Sequence, residues 1–334
     1  MSNDRARVKL QPGGDKRAML GHPWIFSNEL VMDSGAKALE PGAVVTVMRA
    51  DGRPLGAAFF NPHSLIAARL LTRDADRAID ETFLHRRLER AFKLRERLIG
   101  APYYRLVHAE ADGIPGCVVD RFGDVVVVEP NAAGADRLVE PLVAALDRLL
   151  KPRAIVVSGD GPARTLEGLP PIHRLAKGTL DGAIELQEHG ARFLADLAEG
   201  QKTGWFYDQR DNRLLAARFA QDADVLDLYA YSGGFGLQAA RHGAKSVLSV
   251  DRSQAALDLA RRAAALNGVA EKHATESAEA FEFLEQAGAA HRTFDLVMAD
   301  PPAFVKSRKD FHQGGRAYRK LARLTAGRVR TGGF

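Results

Sequence analysis

Residues Val225 to Asp251 read Val-Leu-Asp-Leu-Tyr-Ala-Tyr-Ser-Gly-Gly-Phe-Gly-Leu-Gln-Ala-Ala-Arg-His-Gly-Ala-Lys-Ser-Val-Leu-Ser-Val-Asp. A short apolar run, a glycine-rich turn, a helix of small residues and a second apolar run ending in an acid make one β-α-β unit. Gly233, Gly234 and Gly236 let backbone approach a ligand closely and open a helix expected from Phe235 to about His242. Asp251 closes the second strand, where a carboxylate can accept both hydroxyls of a ribose.

A nicotinamide-binding unit would share this outline, but the turn is Ser-Gly-Gly-Phe-Gly and not G-x-G-x-x-G. Further on, the apolar run Phe294 to Ala299 is followed by Asp300-Pro301-Pro302-Ala303-Phe304. An acid and two prolines at a strand end make a rigid, extended loop beside the same cleft. The pair of motifs resembles class I S-adenosylmethionine (SAM) methyltransferases, in which that loop holds the target base. The candidate cofactor residues are Tyr231, Ser232, Gly233, Gly234 and Phe235 in the turn, with Asp227, Asp251 and Arg252 at the strand ends. Glu279 falls just past the third strand, where an acid can accept from the adenine amino group. Asp208 and Arg210 precede the first strand, and Arg210 either pairs the methionine carboxylate or caps the neighbouring helix. Asp300, Pro301, Pro302 and Phe304 are the candidate catalytic loop.

The bulk properties agree with a soluble enzyme. The chain has 334 residues, 46% of them hydrophobic, and no apolar run approaches the roughly 18 residues that span a bilayer. The sequence starts Met-Ser-Asn-Asp-Arg-Ala-Arg, without the pattern of a secretory signal. Cys117 is the only cysteine, which suits the reducing cytoplasm and excludes a disulfide framework. No Cys/His cluster has zinc spacing, so no metal is expected. The net charge of +5 suits a polyanionic partner or simply a solvated basic surface.

Residues 1–75 read as a small β module with strands at Val44–Met48, Leu55–Phe60 and Leu65–Leu71 and a tight turn at Asp51-Gly52. Lys16, Arg17, His22 and Trp24 interleave basic and aromatic groups, a pattern suited to RNA phosphates and stacked bases. Trp24 and Phe26 equally well plug the core of a small barrel. Residues 76–180 read as a second α/β segment. A helix spans Asp80 to about Ile99, with Arg86, Arg87, Arg90, Lys93, Arg95 and Arg97 opposite its apolar stripe. Strands follow at Tyr104–His108, Cys117–Asp120 and Val125–Glu129, then a helix over Arg137–Leu150, a strand at Ala154–Ser158 and a loop over Gly159–Pro171. Residues 181–334 carry the catalytic motifs, with helices at Gln254–Asn267 and Ala278–Gln286. Past the Asp-Pro-Pro loop the chain turns basic: Lys306, Arg308, Lys309, Arg316, Arg319, Lys320, Arg323, Arg328 and Arg330 are opposed only by Asp310. Beside a base pocket, such a run is a candidate phosphate track.

Taken together, the motifs resemble the bacterial family of large-subunit ribosomal RNA cytosine-5 methyltransferases. The matching residues are His22-Pro23-Trp24-Ile25-Phe26-Ser27, Glu110-Ala111-Asp112-Gly113-Ile114-Pro115-Gly116, Asp120-Arg121-Phe122-Gly123, Glu188-His189-Gly190, Lys202-Thr203-Gly204, Asp208-Gln209-Arg210, Tyr231-Ser232-Gly233-Gly234-Phe235 and Asp300-Pro301-Pro302-Ala303-Phe304. The resemblance implies a mixed α/β chain: an N-terminal PUA-like β-barrel that binds RNA, a central small α/β domain of the EEHEE type, and a C-terminal Rossmann-like methyltransferase domain. It implies SAM as cofactor and 23S ribosomal RNA as partner, met protein-free or early in assembly, and it admits a homodimer. It also implies a nucleophilic cysteine, in a Ser-Cys-Ser motif on the strand after the Asp-Pro-Pro helix. These residues stop at Thr331-Gly332-Gly333-Phe334, so the expectation is a methyltransferase domain lacking its last strands and that cysteine. Methylation at another position, such as guanine N7, or RNA and SAM binding without turnover, are the competing readings.

Overall fold

The computed structural model describes residues 5–197, 204–305 and 307–334. Lys202, Thr203 and Lys306, singled out above, lie outside the described residues. The chain divides into two compact units, Met1–Asp181 with Leu197–Trp205, and Gly182–Asp196 with Phe206–Phe334.

The first unit contains two five-stranded sheets. One is built from β1 (Arg7–Lys9), β2 (Trp24–Ile25), β3 (Ala43–Met48), β4 (Pro54–Phe60) and β5 (Ala68–Thr72), with the short helices α1 (Lys16–Met19) and α2 (Ser34–Lys37) in its connections. The strand order is β1-β3-β4-β5-β2, antiparallel except for β1 beside β3. Val8, Leu10, Ile25, Val45, Val47, Ala58 and Phe60 form its core. The third strand starts later than the sequence suggests, because Leu65 points to solvent, 72% exposed.

Next comes α3 (Glu81–Ile99), started by the Asp80 carboxylate, which accepts from the Phe83 N–H at 2.8 Å, and stopped by left-handed Gly100. These are the two ordinary ends of a helix: a side-chain acceptor for an orphan N–H, and a residue free to adopt positive φ. Phe83, Leu84, Leu88 and Ala91 face the core. The second sheet holds β6 (Tyr103–His108), β7 (Cys117–Phe122), β8 (Val125–Pro130), β9 (Ala154–Gly159) and β10 (Ile172–Gly178), in the order β10-β9-β8-β7-β6. Between β8 and β9 lie α4 (Ala133–Arg137), a short helix the periodicity does not predict, and α5 (Val139–Leu150), which matches the helix expected over Arg137–Leu150. The stretch expected to be loop contains α6 (Pro162–Leu166) and is followed by β10, which the sequence does not announce. With three strands ahead of the helices and two behind, the expected two-strand, helix, two-strand order gains a strand. An edge strand reading Ile-His-Arg-Leu-Ala-Lys-Gly has little hydrophobic alternation, and only its antiparallel ladder with β9 defines it.

The two sheets of this unit are joined by buried charges. Glu167, 4% exposed in its side chain, accepts from Arg69 Nη2 at 3.0 Å, Ser64 Oγ at 3.0 Å and Asn61 Nδ2 at 3.1 Å. Arg69 Nη1 meets Glu110 at 3.0 Å, and Trp24 Nε1 donates to the same Glu110 oxygen at 2.7 Å. Trp24 is therefore half-buried, with its N–H spent on a carboxylate and Arg69 over its ring.

The second unit opens with the hairpin β11 (Ile184–Glu188) and β12 (Ala191–Ala195), turned through left-handed His189 and Gly190. Then follow α7 (Arg210–Ala217), β13 (Asp224–Leu228), α8 (Gly234–Arg241), β14 (Ser246–Asp251), α9 (Gln254–Leu266), β15 (His273–Ser277), α10 (Ala280–Ala289), β16 (Leu296–Ala299) and α11 (Phe311–Ala326). The sheet is wholly parallel and ordered β15-β14-β13-β16. The chain steps outward from β13 to β15, then crosses back to lay β16 on the other side of β13. That reversal is the switch point of a doubly wound sheet, and the strand ends there form a ligand crevice.

Among the described residues no helix is long and apolar enough to cross a membrane. Replacing Glu167 by Ala should leave Arg69 with Glu110 alone and deprive Asn61 and Ser64 of their acceptor, at a cost of about 1–3 kcal/mol. Burial raises the pKa of Glu167, but the Asn61, Arg69 and Ala133 hydrogen bonds overcome it and bring it below the ordinary value of 4.5. A depressed acid stabilises the fold above its ordinary pKa and loses that contribution as pH falls through the folded value. Thermal melts should therefore separate the wild type from Glu167→Ala widely at pH 7 and much less at pH 3. Equal separation at both would refute the assignment.

Candidate active site at the sheet switch point

β13 and β16 lie in register with Asp227 opposite Met298 and Leu228 opposite Ala299. Asp300 follows immediately, its N–H 3.5 Å from the Leu228 carbonyl. Because both strands are parallel, the glycine turn after β13 and the Asp-Pro-Pro loop after β16 emerge side by side. Sequence spacing alone cannot establish this.

The turn is tightly held. Tyr229 and Tyr231 adopt positive φ of 60° and 49°, uncommon for bulky residues, and Gly233 adopts 83°. Non-glycine residues in this region cost on the order of 1–3 kcal/mol each and gather at ligand sites. Beneath the turn stands Asp227, 1% exposed, whose Oδ2 accepts the Gly236 N–H at 2.8 Å. Asp251 grips the turn from the side: its Oδ2 accepts from the Tyr231 N–H and its Oδ1 from the Ser253 N–H, both at 2.9 Å. Each of these oxygens keeps a lone pair for a ligand hydroxyl. Ser232 Oγ is fully buried in the turn with no hydrogen-bond partner among the described residues. An orphaned buried hydroxyl, a left-handed glycine turn opening α8 and a half-buried acid at the next strand end together fit the amino-acid and ribose ends of SAM.

Three residues that the sequence reading missed complete the floor. Arg213, 4% exposed on α7, donates to Glu188 at 2.7 Å and to the Phe206 carbonyl at 2.9 Å. A Cβ added to Gly234 would sit 2.6 Å from Arg213 Nε, so that glycine is the gap the arginine fills. Ser249 Oγ lies 3.5 Å from Asp227 Oδ2 and 2.9 Å from Nε2 of the buried His273. His273 is pushed down to about 4 by burial and stays neutral. None of the three belongs to a recognisable motif; each is brought in by β-strand register or by helix α7.

Burial raises the Asp227 pKa to about 7, against the Gly236 N–H and Arg213, which lower it, and with Asp251 and Asp300, which raise it further. Asp300, exposed at the strand end, also has a raised pKa, from lost solvation first; Arg213 opposes the rise and Asp208 adds to it. Asp208 and Asp300 thus share one neighbourhood. Arg210 is 3.6 Å from Glu188, the carboxylate that also holds Arg213, with its guanidinium over the Tyr207 ring. Glu279 is exposed at the start of α10, Arg252 is exposed after β14, and Phe235 is half-buried on α8. Pro301 and Pro302 lead away from β16. Phe304 packs between Phe281 and Tyr318 at ring distances of 6.0 and 4.7 Å, and its N–H donates to Tyr318 Oη at 3.2 Å. It fastens the loop to α11.

The basic run after the loop sorts into two sets. Arg330 pairs with Asp224 and Asp295 at 2.8 and 2.7 Å, Arg328 donates to the Ala287 and Arg292 carbonyls, and Lys320 pairs with Glu285 at 2.7 Å. These three are structural, which corrects the reading of the whole run as one track. Arg308, Lys309, Arg316, Arg319 and Arg323 are exposed and have no carboxylate partner among the described residues. In the first unit, Lys16 is exposed, while Arg17 lies over the Phe26 ring and contacts His22 at 2.8 Å.

Known proteins share these features. A PUA-like domain family matches residues 8–73, and an S-adenosylmethionine-dependent methyltransferase family matches residues 174–333. A protein from Shewanella denitrificans named ribosomal RNA large subunit methyltransferase I is 38% identical over 98% of this chain and 84% of its own length. Its namesake from Shewanella amazonensis is 39% identical over 98% of this chain and 83% of its own length. The chain belongs to the ribosomal RNA large subunit methyltransferase I family. The fold agrees: a SAM-dependent methyltransferase structure from Streptococcus mutans superposes with a TM-score of 0.80 at 20% identity, over 97% of this chain and 83% of that one. As in its family, SAM is the cofactor, and the N-terminal sheet is the PUA-like domain.

Gly236→Ala would put its Cβ 2.6 Å from Ser249 Oγ and 3.0 Å from Asp227 Oδ2. Overpacking of this kind costs roughly 1–3 kcal/mol, so SAM affinity measured by calorimetry should fall about tenfold or more. Adding Ser249→Ala should restore part of it, since Asp227 Oδ2 and Val247 Cγ1 stay at 3.0 Å; no rescue would mean that the Ser249 contact is not the one that matters. An acid with raised pKa favours the fold at low pH and loses that contribution as pH rises to the folded value, here about 7. SAM is cationic, so ionised Asp227 should hold it better, and affinity should climb between pH 6 and 8. Asp227→Asn should flatten that climb; an unchanged climb would assign it to another group.

Proposed function

We propose that the reaction this methyltransferase fold serves is methyl transfer to C5 of a cytosine in large-subunit ribosomal RNA, with Asp300 presenting the base. The observation that carries the reading is the adjacency of β13 and β16, which brings the glycine turn and the Asp-Pro-Pro loop to one crevice. SAM supplies an electrophilic methyl group there. The chain's residues do the rest: the turn and Asp251 orient the donor, and the prolines stiffen the strand that carries Asp300. Lost solvation, and after it Asp208, raise the Asp300 pKa against Arg213; in its protonated form the carboxyl can donate to a ring nitrogen or oxygen. Arg308, Lys309, Arg316, Arg319 and Arg323 line the route for phosphates. Residues 1–75 act as the RNA-binding domain, 76–180 as the connecting domain and 181–334 as the catalytic domain, working on protein-free or early-assembly 23S RNA in the cytoplasm.

C5 of cytosine becomes nucleophilic only after a thiolate adds to C6. Cys117 is not that thiolate: it is fully buried in β7, and burial pushes its pKa far up, with Glu129 adding to the shift. With Cys117 set aside, the second reading is SAM and RNA binding without turnover. The test is nucleoside mass mapping of 23S RNA after incubation with SAM, using this chain and a form extended by the Ser-Cys-Ser segment that the family resemblance implies. The expected outcome is 5-methylcytidine; RNA and SAM binding with no methylated nucleoside from either form supports the second reading. A 7-methylguanosine product, or no product from the extended form, refutes the cytosine assignment.

A further inference from the structure

Helix α3 carries a second feature that the active site does not use. Arg86, Arg90, Lys93 and Arg97 recur at i, i+4, i+7 and i+11, and all four are exposed. At about 100° per residue they fall within roughly 60° of arc, in a stripe about 16 Å long. The helix's own carboxylates are mostly spent elsewhere: Glu81 pairs with Arg148 at 3.3 Å, and Glu96 accepts from Tyr104 at 2.7 Å and from Arg121 at 3.2 Å. Only Glu89 touches the stripe, at Lys93. Arg86, Arg90 and Arg97 have no carboxylate partner among the described residues. Arg95 turns the other way, into a two-pronged pair with Asp112 at 2.6 and 2.7 Å, and is structural.

At its N-terminal end the stripe runs into a cavity of about 450 Å³, lined by Arg77, Arg86 and Arg87 with Asp74, Asp76 and Asp80. Two of these acids are engaged within the fold. Asp80 caps α3 through the Phe83 N–H, Asp74 accepts the Asp76 N–H at 3.2 Å and lies 3.6 Å from Arg77, and the Arg5 guanidinium is held near Asp74 and Asp76. Arg87 sits half-buried with the Leu71 carbonyl at 3.0 Å and the Phe83 ring beneath it. Its guanidinium is weakened first by burial, then by the like charges of Arg90 and Arg77. The exposed cations of the stripe that lack a carboxylate, Arg86, Arg90 and Arg97, gain from an external anion, and their helical spacing suits a polyanion better than a single ion.

We infer that the exposed face of α3 carrying Arg86, Arg90, Lys93 and Arg97 is a docking surface for the phosphate backbone of RNA, distinct from the basic face of α11. The inference rests on RNA being the substrate and adds a second contact to it. Leu94 and Leu98, 49% and 72% exposed, border the stripe, so an acidic protein is the competing occupant.

The test measures binding of a transcribed 23S RNA fragment to the full chain by fluorescence anisotropy across a potassium chloride series. The triple variant Arg86→Gln, Arg90→Gln, Arg97→Gln should bind at least tenfold more weakly at low salt. Its slope of log affinity against log salt should be shallower by about two to three, close to one per lost phosphate contact. The matching lysine variant should keep the slope, and SAM affinity should be the same in all three proteins, which verifies the fold. An unchanged slope and affinity in the glutamine variant overturns the inference while leaving the substrate assignment intact. Polyglutamate displacing the RNA at equal charge concentration overturns it in favour of an acidic protein. A wild type that binds no RNA refutes the substrate assignment as well.

Discussion

The buried hydrogen bond from the Gly236 N–H to the Asp227 carboxyl at 2.8 Å, with Asp251 accepting from the Tyr231 N–H at 2.9 Å, fixes the turn on which the catalytic unit depends. The backbone there carries two tyrosines at positive φ, a conformation the chain would leave if nothing below held it. Asp227 can take that place only because β13 is the central strand, covered on both sides by β14 and β16. Burial is also what makes the carboxyl hard to ionise, so the residue that secures the turn sits close to a change of charge near neutrality. Structural need and electrostatic sensitivity arise from the same position.

Among the described residues the deepest arginines elsewhere in the molecule are paired with carboxylates. Arg213 has Glu188, Arg69 has Glu110 and Glu167, and Arg95 has Asp112. Breaking such a pair leaves an uncompensated charge in a poorly solvated place, which is why they join elements far apart in the chain. The Glu-His-Gly motif illustrates this. In sequence it reads as a hairpin turn, yet its glutamate is the counter-ion beneath the cofactor turn. The Glu110 of Glu-Ala-Asp-Gly plays the same part in the first unit, holding both Arg69 and Trp24.

The surface arginines can be sorted by the same criterion. Arg328, Arg330 and Lys320 close hydrogen bonds within the fold, whereas Arg308, Arg316, Arg319 and Arg323 on the same stretch do not. Composition and a net charge of +5 treat all of these alike. Only a partner list tells a cation that holds the protein together from one that remains available to a polyanion.

The chain's own residues determined the β-α-β turn, its acids and the proline-stiffened loop, because glycine, proline and a strand-ending acid restrict backbone and ligand geometry locally. They also marked α3 and most strands, whose hydrophobic periods are strong. The sequence could not reveal β10, whose weak alternation acquires meaning only beside β9. Nor could it reveal Arg213, Ser249 and His273, which serve the site through register and packing and belong to no motif. The tertiary structure alone decided that Asp300 stands next to the glycine turn. That adjacency comes from β16 crossing back to pair with β13, and strand order is a property of the whole sheet that no local stretch encodes.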